Sequence, residues 1–380
     1  MRLVRAFFST LLFCLIISGP AAGMYIWTDE NGVKHFSDAP PSEEASEEVK
    51  HQADYDAVAG EKKLYEKANQ LMSSYRGDFS LLTKAGLFLE RILESNPNSA
   101  LAYVGLSRLA RKEGRIIGKK YKPGSLEESR EFLLKAIRID PALYDAYRQG
   151  VYLHVASNNL PEARKAAKKA RELSPDAPET DILFAVIALE EGDDEEVIRR
   201  SNSVISKTAD KYMLHDAYFF LTKVYKKQKK YDLVEDMYLK TMKIWPDDAW
   251  NLDSYAGFLY RRGRYDEAIT YGEKALSIMD FYVARKRLGK SYYKKASDIL
   301  WTKGQPAESI RFFLSSIKYH PTANAFYGLG TSYARIGKDA QNVSLMEKAA
   351  SALEKAIELE SDHKLAQSQL AKIRKLLSDL

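Results

Sequence analysis

Cysteine is almost absent from this sequence: among 380 residues there is one, Cys14, inside an apolar run near the N-terminus. The rest of the chain can form neither an internal disulfide nor a thiolate metal site, which leaves an oxidising compartment open to it. Histidine is also scarce. His35, His51, His154, His215, His320 and His363 are scattered with no pair at metal-ligand spacing, so no metal and no cofactor is expected. A phosphate-binding loop is missing too, because Gly289-Lys290-Ser291 has the residues that end one but Ala284 stands where the earlier glycine is required. Gly289 reads better as the small residue at a contact between two helices. Charge of one sign is modest: 58 Lys and Arg against 52 Asp and Glu leave +6, too little to imply a nucleic-acid partner. No convergent set of catalytic groups occurs at a usable spacing, and the chain reads as non-enzymatic.

Long hydrophobic runs are limited to Ala6 to Ser18. Arg2 and Arg5 precede it, and Gly19, Pro20, Ala21, Ala22 and Gly23 follow, which is the pattern of a secretory leader over residues 1–23. The run is shorter than the ~20 apolar residues of a membrane helix. Cleavage is expected before Met24, leaving no membrane span, with an uncleaved anchor as the alternative. Phe13 precedes Cys14 where lipid attachment needs a small residue.

Residues 24–38, MYIWTDENGVKHFSD, alternate like a strand, break at Asn31-Gly32 and alternate again, which predicts a β-hairpin domain over 24–41. With Asn31 and Gly32 as a two-residue turn, Trp27 falls opposite Phe36 and Asp29 opposite Lys34. A lone hairpin is marginal in water, so it should lean on the rest of the chain or on a partner. Pro40, Pro41 and the glutamates Glu43, Glu44, Glu47 and Glu48 follow. They read as an acidic linker over 42–60.

Everything after residue 60 varies one theme, clearest in Ala249 to Asp280. Leu252, Tyr255, Ala256 and Leu259 recur at helical spacing, Gly263 interrupts, and Tyr265, Ala268, Ile269, Gly272 and Ala275 recur in a second helical phase. A helix pair of that size cannot bury its apolar faces alone, so copies must stack. Pro97, Pro141, Pro175, Pro246 and Pro321 each close a second helix, and Pro141 to Pro175 is one 34-residue period. Second helices carry a small-large-small pattern, as Ala85, Leu89 and Ile92, as Ser129, Leu133 and Ala136, and as Ala163, Ala167 and Ala170. Units end near 97, 141, 175, 209, 246, 280, 321 and 361, about eight helix pairs over 61–361. Three carry extra residues: Gly114 to Glu128 between helices, Lys294 to Lys303 in a lengthened first helix, and Lys338 to Met346 before the last second helix. The insertion Gly114 to Ser125 holds Arg115, Lys119, Lys120 and Lys122 among glycines, which suits a solvated loop better than an anion grip. Residues 362–380 should be a capping helix with Leu365, Leu370, Ile373, Leu376 and Leu377 on one face. Asn342-Val343-Ser344 is a glycosylation sequon only in a eukaryotic secretory setting.

The spacing of Gly263, Tyr265, Ala268 and Ala275, with Tyr255 and Leu259 around small Ala256, resembles the tetratricopeptide repeat (TPR). Gly272, where a large residue is usual, and Asp280, where proline is usual, depart from that pattern. The resemblance implies a mainly α protein, a TPR-type α-solenoid with a small N-terminal β-hairpin, whose first helices line a concave groove for extended peptides or helices. The hairpin resembles a small N-terminal domain of unknown function on secreted proteins of Gram-negative bacteria, with Tyr25, Trp27, Asp29, Gly32, His35, Ser37 and Asp38 matching its pattern. That resemblance implies a periplasmic location and brings no activity with it.

Together these readings predict a scaffold or adaptor of the bacterial cell envelope with a protein or peptide partner. An assembly factor for a pilus or secretion machine, and a recruiting subunit of a cell-wall or polysaccharide enzyme, are the alternatives. If Gly263 and Gly337 mark helix turns, counting back places Lys223, Lys226 and Lys227 on the groove from one unit and Trp250, Tyr260 and Arg261 from the next. Lys286, Arg287, Lys290, Tyr293 and Lys294 follow, and then Tyr327. Cations and rings together suit an acidic peptide or a carboxylate-bearing polymer.

Overall fold

A computed structural model describes residues 25–28, 34–37, 60–75, 78–117 and 120–379. The expected leader, the acidic linker and the turn of the N-terminal hairpin lie outside them. Two strands, β1 (Tyr25–Thr28) and β2 (Lys34–Ser37), pair antiparallel as expected. Their register differs from expectation by one residue: Trp27 faces His35, Ile26 faces Phe36 and Thr28 faces Lys34. The cause is the connection. Five residues separate the strands, so the pairing is centred on Asn31 rather than between Asn31 and Gly32.

The prolines punctuate the helices that follow. Second helices end two residues before Pro97, Pro141, Pro175, Pro246 and Pro321, because a proline disfavours the helical conformation of the residue before it. Side chains then start many of the first helices by accepting from orphan backbone N–H groups, as Ser99, Asp210, Asp248 and Thr322 do. The described residues hold 17 α-helices, eight pairs and one more at the end, and they fall into two compact units, 1–229 and 230–380.

The first unit contains α1 (Glu61–Ser74), α2 (Ser80–Ser95), α3 (Ala100–Gly114), α4 (Ser125–Ile139), α5 (Tyr144–Ala156), α6 (Leu160–Leu173), α7 (Pro178–Glu191), α8 (Asp194–Lys207) and α9 (Lys211–Lys227). Each of α1, α3, α5 and α7 packs on the second helix that follows it and on the next first helix, so α1, α3, α5, α7 and α9 are neighbours in succession. The small-large-small residues of the second helices make the contacts that close each pair: Ala85, Leu89, Ile92, Ala136, Ala163, Ala167 and Ala170 are fully buried. Burying a leucine or isoleucine contributes about 1.5–3 kcal/mol. The insertion after α3 is not a plain loop. It holds a short antiparallel hairpin, β3 (Arg115–Ile117) and β4 (Lys120–Tyr121), closed at its base by Lys122 N donating to Gly114 O at 2.7 Å. Gly118 and Lys119 lie outside the described residues.

The second unit contains α10 (Tyr231–Ile244), α11 (Ala249–Arg261), α12 (Tyr265–Ile278), α13 (Tyr282–Ser297), α14 (Pro306–Tyr319), α15 (Ala323–Asp339), α16 (Val343–Leu359) and α17 (Lys364–Ser378). Here α11, α13, α15 and α17 are the successive neighbours. The extra residues at 294–303 do lengthen a first helix: α13 runs on into a π-helical turn, Asp298–Thr302. On α17 the buried face is Ala366, Leu370 and Ile373, with Leu377 partly covered. Leu365 and Leu376, expected on that face, are 62% and 40% exposed, since each stands one residue before a position of the stripe, Ala366 or Leu377, and one step of the helical period turns it away.

The turn inside each pair obeys one rule from the third pair on. A single left-handed residue joins first helix to second: Asn158, Gly192, Lys229, Gly263, Gly304 and Gln341, with φ between 50° and 79°. Gly263 therefore marks a turn as expected. Gly337 does not, because it lies inside α15, where a Cβ would sit 3.1 Å from Leu345 and Met346 of the partner helix.

Candidate functional site

In the second unit the residues counted onto the groove lie on the first helices α11, α13 and α15, but they are not equivalent. Lys290, Lys294 and Arg261 are exposed. Arg287 is not free: its guanidinium pairs with Asp253 of α11, and Nη1 also donates to Asp253 O at 2.8 Å. Asp253 is 3% exposed, and its Oδ1 has no hydrogen-bond partner among the described residues. Burial pushes the Asp253 carboxyl above its ordinary value despite Arg287. Gly257 makes room for this pair, since a Cβ there would meet Arg287 Nε at 2.7 Å. Arg287 thus ties α13 to α11.

The aromatic residues of this set are anchored in the same way. Trp250 stacks on Phe281 with centroids 4.4 Å apart, Tyr260 lies 5.9 Å from Tyr265, and half-buried Tyr293 lies 6.2 Å from Phe313. Lys286 Nζ sits 5.7 Å from the Tyr282 ring, and with Lys290 it adds to the effect of burial in lowering the His320 pKa. Tyr327 stacks on Trp301 at 6.1 Å and lies 5.1 Å from His363, the residue that caps α17. Trp301 is 45% exposed, with the Arg335 guanidinium 4.8 Å from its ring, and Arg335 donates to Leu300 O at 3.3 Å. Trp301 and Arg335 escaped the sequence count, although the lengthened helix before Lys303 pointed to the place.

Lys223, Lys226 and Lys227 belong to the first unit. Lys223 Nζ lies 4.6 Å from the Phe219 ring, Lys226 is half-buried, and Lys227 pairs with Asp194 at 2.9 Å and reaches Gly192 O at 3.4 Å. Lys227 is therefore engaged with the neighbouring pair.

The first unit also holds a cluster that sequence reasoning missed. Arg108 on α3 donates to Asn69 Oδ1 at 2.8 Å and Ser73 Oγ at 2.9 Å, both on α1. Arg111, one turn on, lies 5.5 Å from the Tyr152 ring of α5, and its Nε is buried without a hydrogen-bond partner among the described residues. Arg148 of α5 donates to Asp145 Oδ1 at 2.8 Å, while Asp145 Oδ2 accepts from Tyr65 at 3.2 Å. Burial, then the charges of Arg148 and Arg111, bring Arg108 down to about 10. Burial and Asp216 push the Tyr152 hydroxyl up to about 12, against the three arginines. The spacing of Arg108 and Arg111 on one helix was the available signal, but α1 and α5 enter the cluster from some 40 residues away on either side.

Among the described residues no group of three or more His, Cys, Asp or Glu side chains is arranged to hold a metal ion, and no helix is long and apolar enough to cross a membrane.

A family model for the tetratricopeptide repeat matches residues 253–279, and these hold the α11–α12 turn and its buried Ala268 and Ala275. Tetratricopeptide repeats serve in general as protein-interaction scaffolds and are typically non-catalytic. Residues 11–62 match a domain of unknown function, DUF4124. No curated protein matches the chain. Among solved structures the chain is similar to human IFIT1 with m7Gppp-AAAA, at 15% identity over 83% of this chain and 72% of that one, TM-score 0.49. It is similar to PilF of Pseudomonas aeruginosa at 16% identity over 58% of this chain and 92% of that one, TM-score 0.43. For the APC/C hetero-tetramer Cut9-Hcn1 the identity is 15% over 80% of this chain, TM-score 0.44, and the match spans 57% of that chain.

Proposed function

We propose that the protein is a non-enzymatic scaffold of the bacterial cell envelope, exported by its leader, which holds an extended acidic partner along the first-helix face of its second unit. One observation carries the reading: α13 presents Lys290 and Lys294 to solvent, and the neighbouring first helices carry the rings of Trp250 and Tyr327. Ammonium groups attract carboxylates there, and ring faces offer contact area at low entropic cost. Residues 1–23 and the DUF4124 match at 11–62 support export and an envelope location. Intact-mass measurement of the mature chain tests that part; a retained leader, or a lipid mass on Cys14, refutes it.

Arg287 is the wrong residue with which to test the ligand, because its loss unpairs Asp253. The discriminating variant is Lys290→Glu with Lys294→Glu. Its affinity for a glutamate-rich peptide should fall about tenfold or more, and wild-type binding should weaken with salt. Unchanged affinity in a variant with native circular dichroism removes this face from the proposal.

A further inference from the structure

In the first unit, three arginines share one paired carboxylate. Asp145 serves Arg148 and the Tyr65 hydroxyl. Arg108 is held by neutral acceptors, Asn69 and Ser73, and among the described residues neither Arg108 nor Arg111 pairs with a carboxylate. Asp216 acts on the Tyr152 hydroxyl, and its carboxylate is 45% exposed beside His215. Residues one turn apart on a helix carry Cβ atoms about 5–6 Å apart, so Arg108 and Arg111 concentrate two positive charges in a small volume. Crowding like charges away from water is costly unless a counter-charge is supplied. Nothing in the chain's described residues supplies it, yet the site is not sealed: the Arg148 side chain is 30% exposed, and Arg108 and Arg111 are only half-buried. The Tyr152 ring lies 5.5 Å from the Arg111 guanidinium and brings its hydroxyl to the same cluster.

We propose that Arg108, Arg111 and Arg148, with the Tyr152 hydroxyl, form an oxyanion-binding site on the α3–α5 face that takes a phosphate-class dianion. Two guanidinium charges without a carboxylate match the charge of about −1.5 to −2 on one phosphate monoester centre. The unpartnered Nε of Arg111 and the hydroxyl of Tyr152 are donors for its oxygens. A pair of carboxylates would carry the same charge on two separated centres. This inference does not depend on the acidic-partner reading, whose lysines are on α13.

The test is isothermal titration of the full chain at low ionic strength with inorganic phosphate, sulfate and succinate. Phosphate and sulfate should bind saturably at one site per chain, and Arg111→Gln should weaken phosphate by about tenfold or more, the worth of a charge-assisted hydrogen bond. Where Arg111→Gln fails to fold, Tyr152→Phe, which deletes one hydroxyl, should still weaken phosphate several-fold. Absence of saturable phosphate binding to the wild type overturns the site, as does unchanged affinity in whichever variant folds. Succinate binding as tightly as phosphate overturns the phosphate class.

Discussion

Replacing Arg287 by alanine probes the contact that ties α11 to α13. The Asp253 side chain is 4% exposed and that of Arg287 28% exposed, so the pair is largely desolvated, and Oδ1 of Asp253 already lacks a donor. Removing one partner of a buried pair costs about 3–5 kcal/mol because the other charge stays behind. The partial exposure of Arg287 places this case near the lower figure, about 3 kcal/mol at neutral pH. The sign of the pH dependence follows from burial, which lifts the Asp253 carboxyl above its unfolded value even with Arg287 present. The folded chain then binds that proton more tightly than the unfolded chain, so the stabilising contribution is full below the unfolded carboxylate pKa and is lost as pH rises through the folded one. Without Arg287 the folded pKa climbs further. The cost of Arg287→Ala should therefore shrink on acidification from neutral pH, by up to about 1.4 kcal/mol per pH unit while one proton is taken up. Urea unfolding of wild type and variant across this range measures the difference, and the other carboxylates cancel in it. Asp253→Leu with Arg287→Met should recover more than half of the loss. A cost below about 1 kcal/mol, or a cost independent of pH, would refute the account.

Asp181 offers the opposite sign. Burial alone would raise its carboxyl, but donation from Ser203, Arg200, Lys207 and Arg171 holds it at about 2. Its stabilisation is present above the ordinary carboxylate pKa and is lost as pH falls towards about 2, so Asp181→Asn should cost about 3 kcal/mol at neutral pH and flatten the acid limb of the stability profile. Gly289→Ala should destabilise by about 2 kcal/mol in thermal or urea unfolding, since the new Cβ would lie 2.5 Å from His320 Cβ and 3.0 Å from His320 N; a neutral result means that α14 yields easily. Deleting 362–380 should uncover Ala323, Ala334, Met346 and Leu353, which pack in one cluster with α17, and drive association visible by sedimentation. A truncated chain that stays monomeric and equally stable shows that α17 is not a cap.

The repeat was legible because its signals are local. A proline stops a helix within two residues, and a small residue at every third or fourth position marks a contact, so the pairs and residues such as Ala85, Ala136 and Ala167 could be read without a structure. What failed depended on a single unit of register. Asn31-Gly32 suggested a two-residue turn and shifted the hairpin by one. Gly337 looked like a turn because Gly263 is one, whereas a glycine can equally mark a close approach, and the left-handed residue there is Gln341. Half of the observed turns use Asn158, Lys229 or Gln341, so glycine spacing alone undercounts them. For the surface, exposure of Lys290 and Lys294 followed from the period, but the capture of Arg287 by Asp253 did not. That contact joins residues 34 apart, and the arginine cluster gathers three first helices. Such convergence is tertiary information that no single window of sequence carries.

The left-handed turn inside each pair also shows where this architecture can be lengthened. Between α3 and α4 the chain replaces that turn with the β3–β4 hairpin, yet the contact beneath is intact: Ser129 Oγ donates to Ser107 O at 2.7 Å, and both serines are fully buried. The grip between two helices of a pair is therefore indifferent to what joins them at that end. A short hairpin, a protease site or a fluorescent tag grafted in place of Asn158 or Gln341 should leave the underlying helices in register, making these positions entry points for reporters on a protein whose partners are to be caught in place.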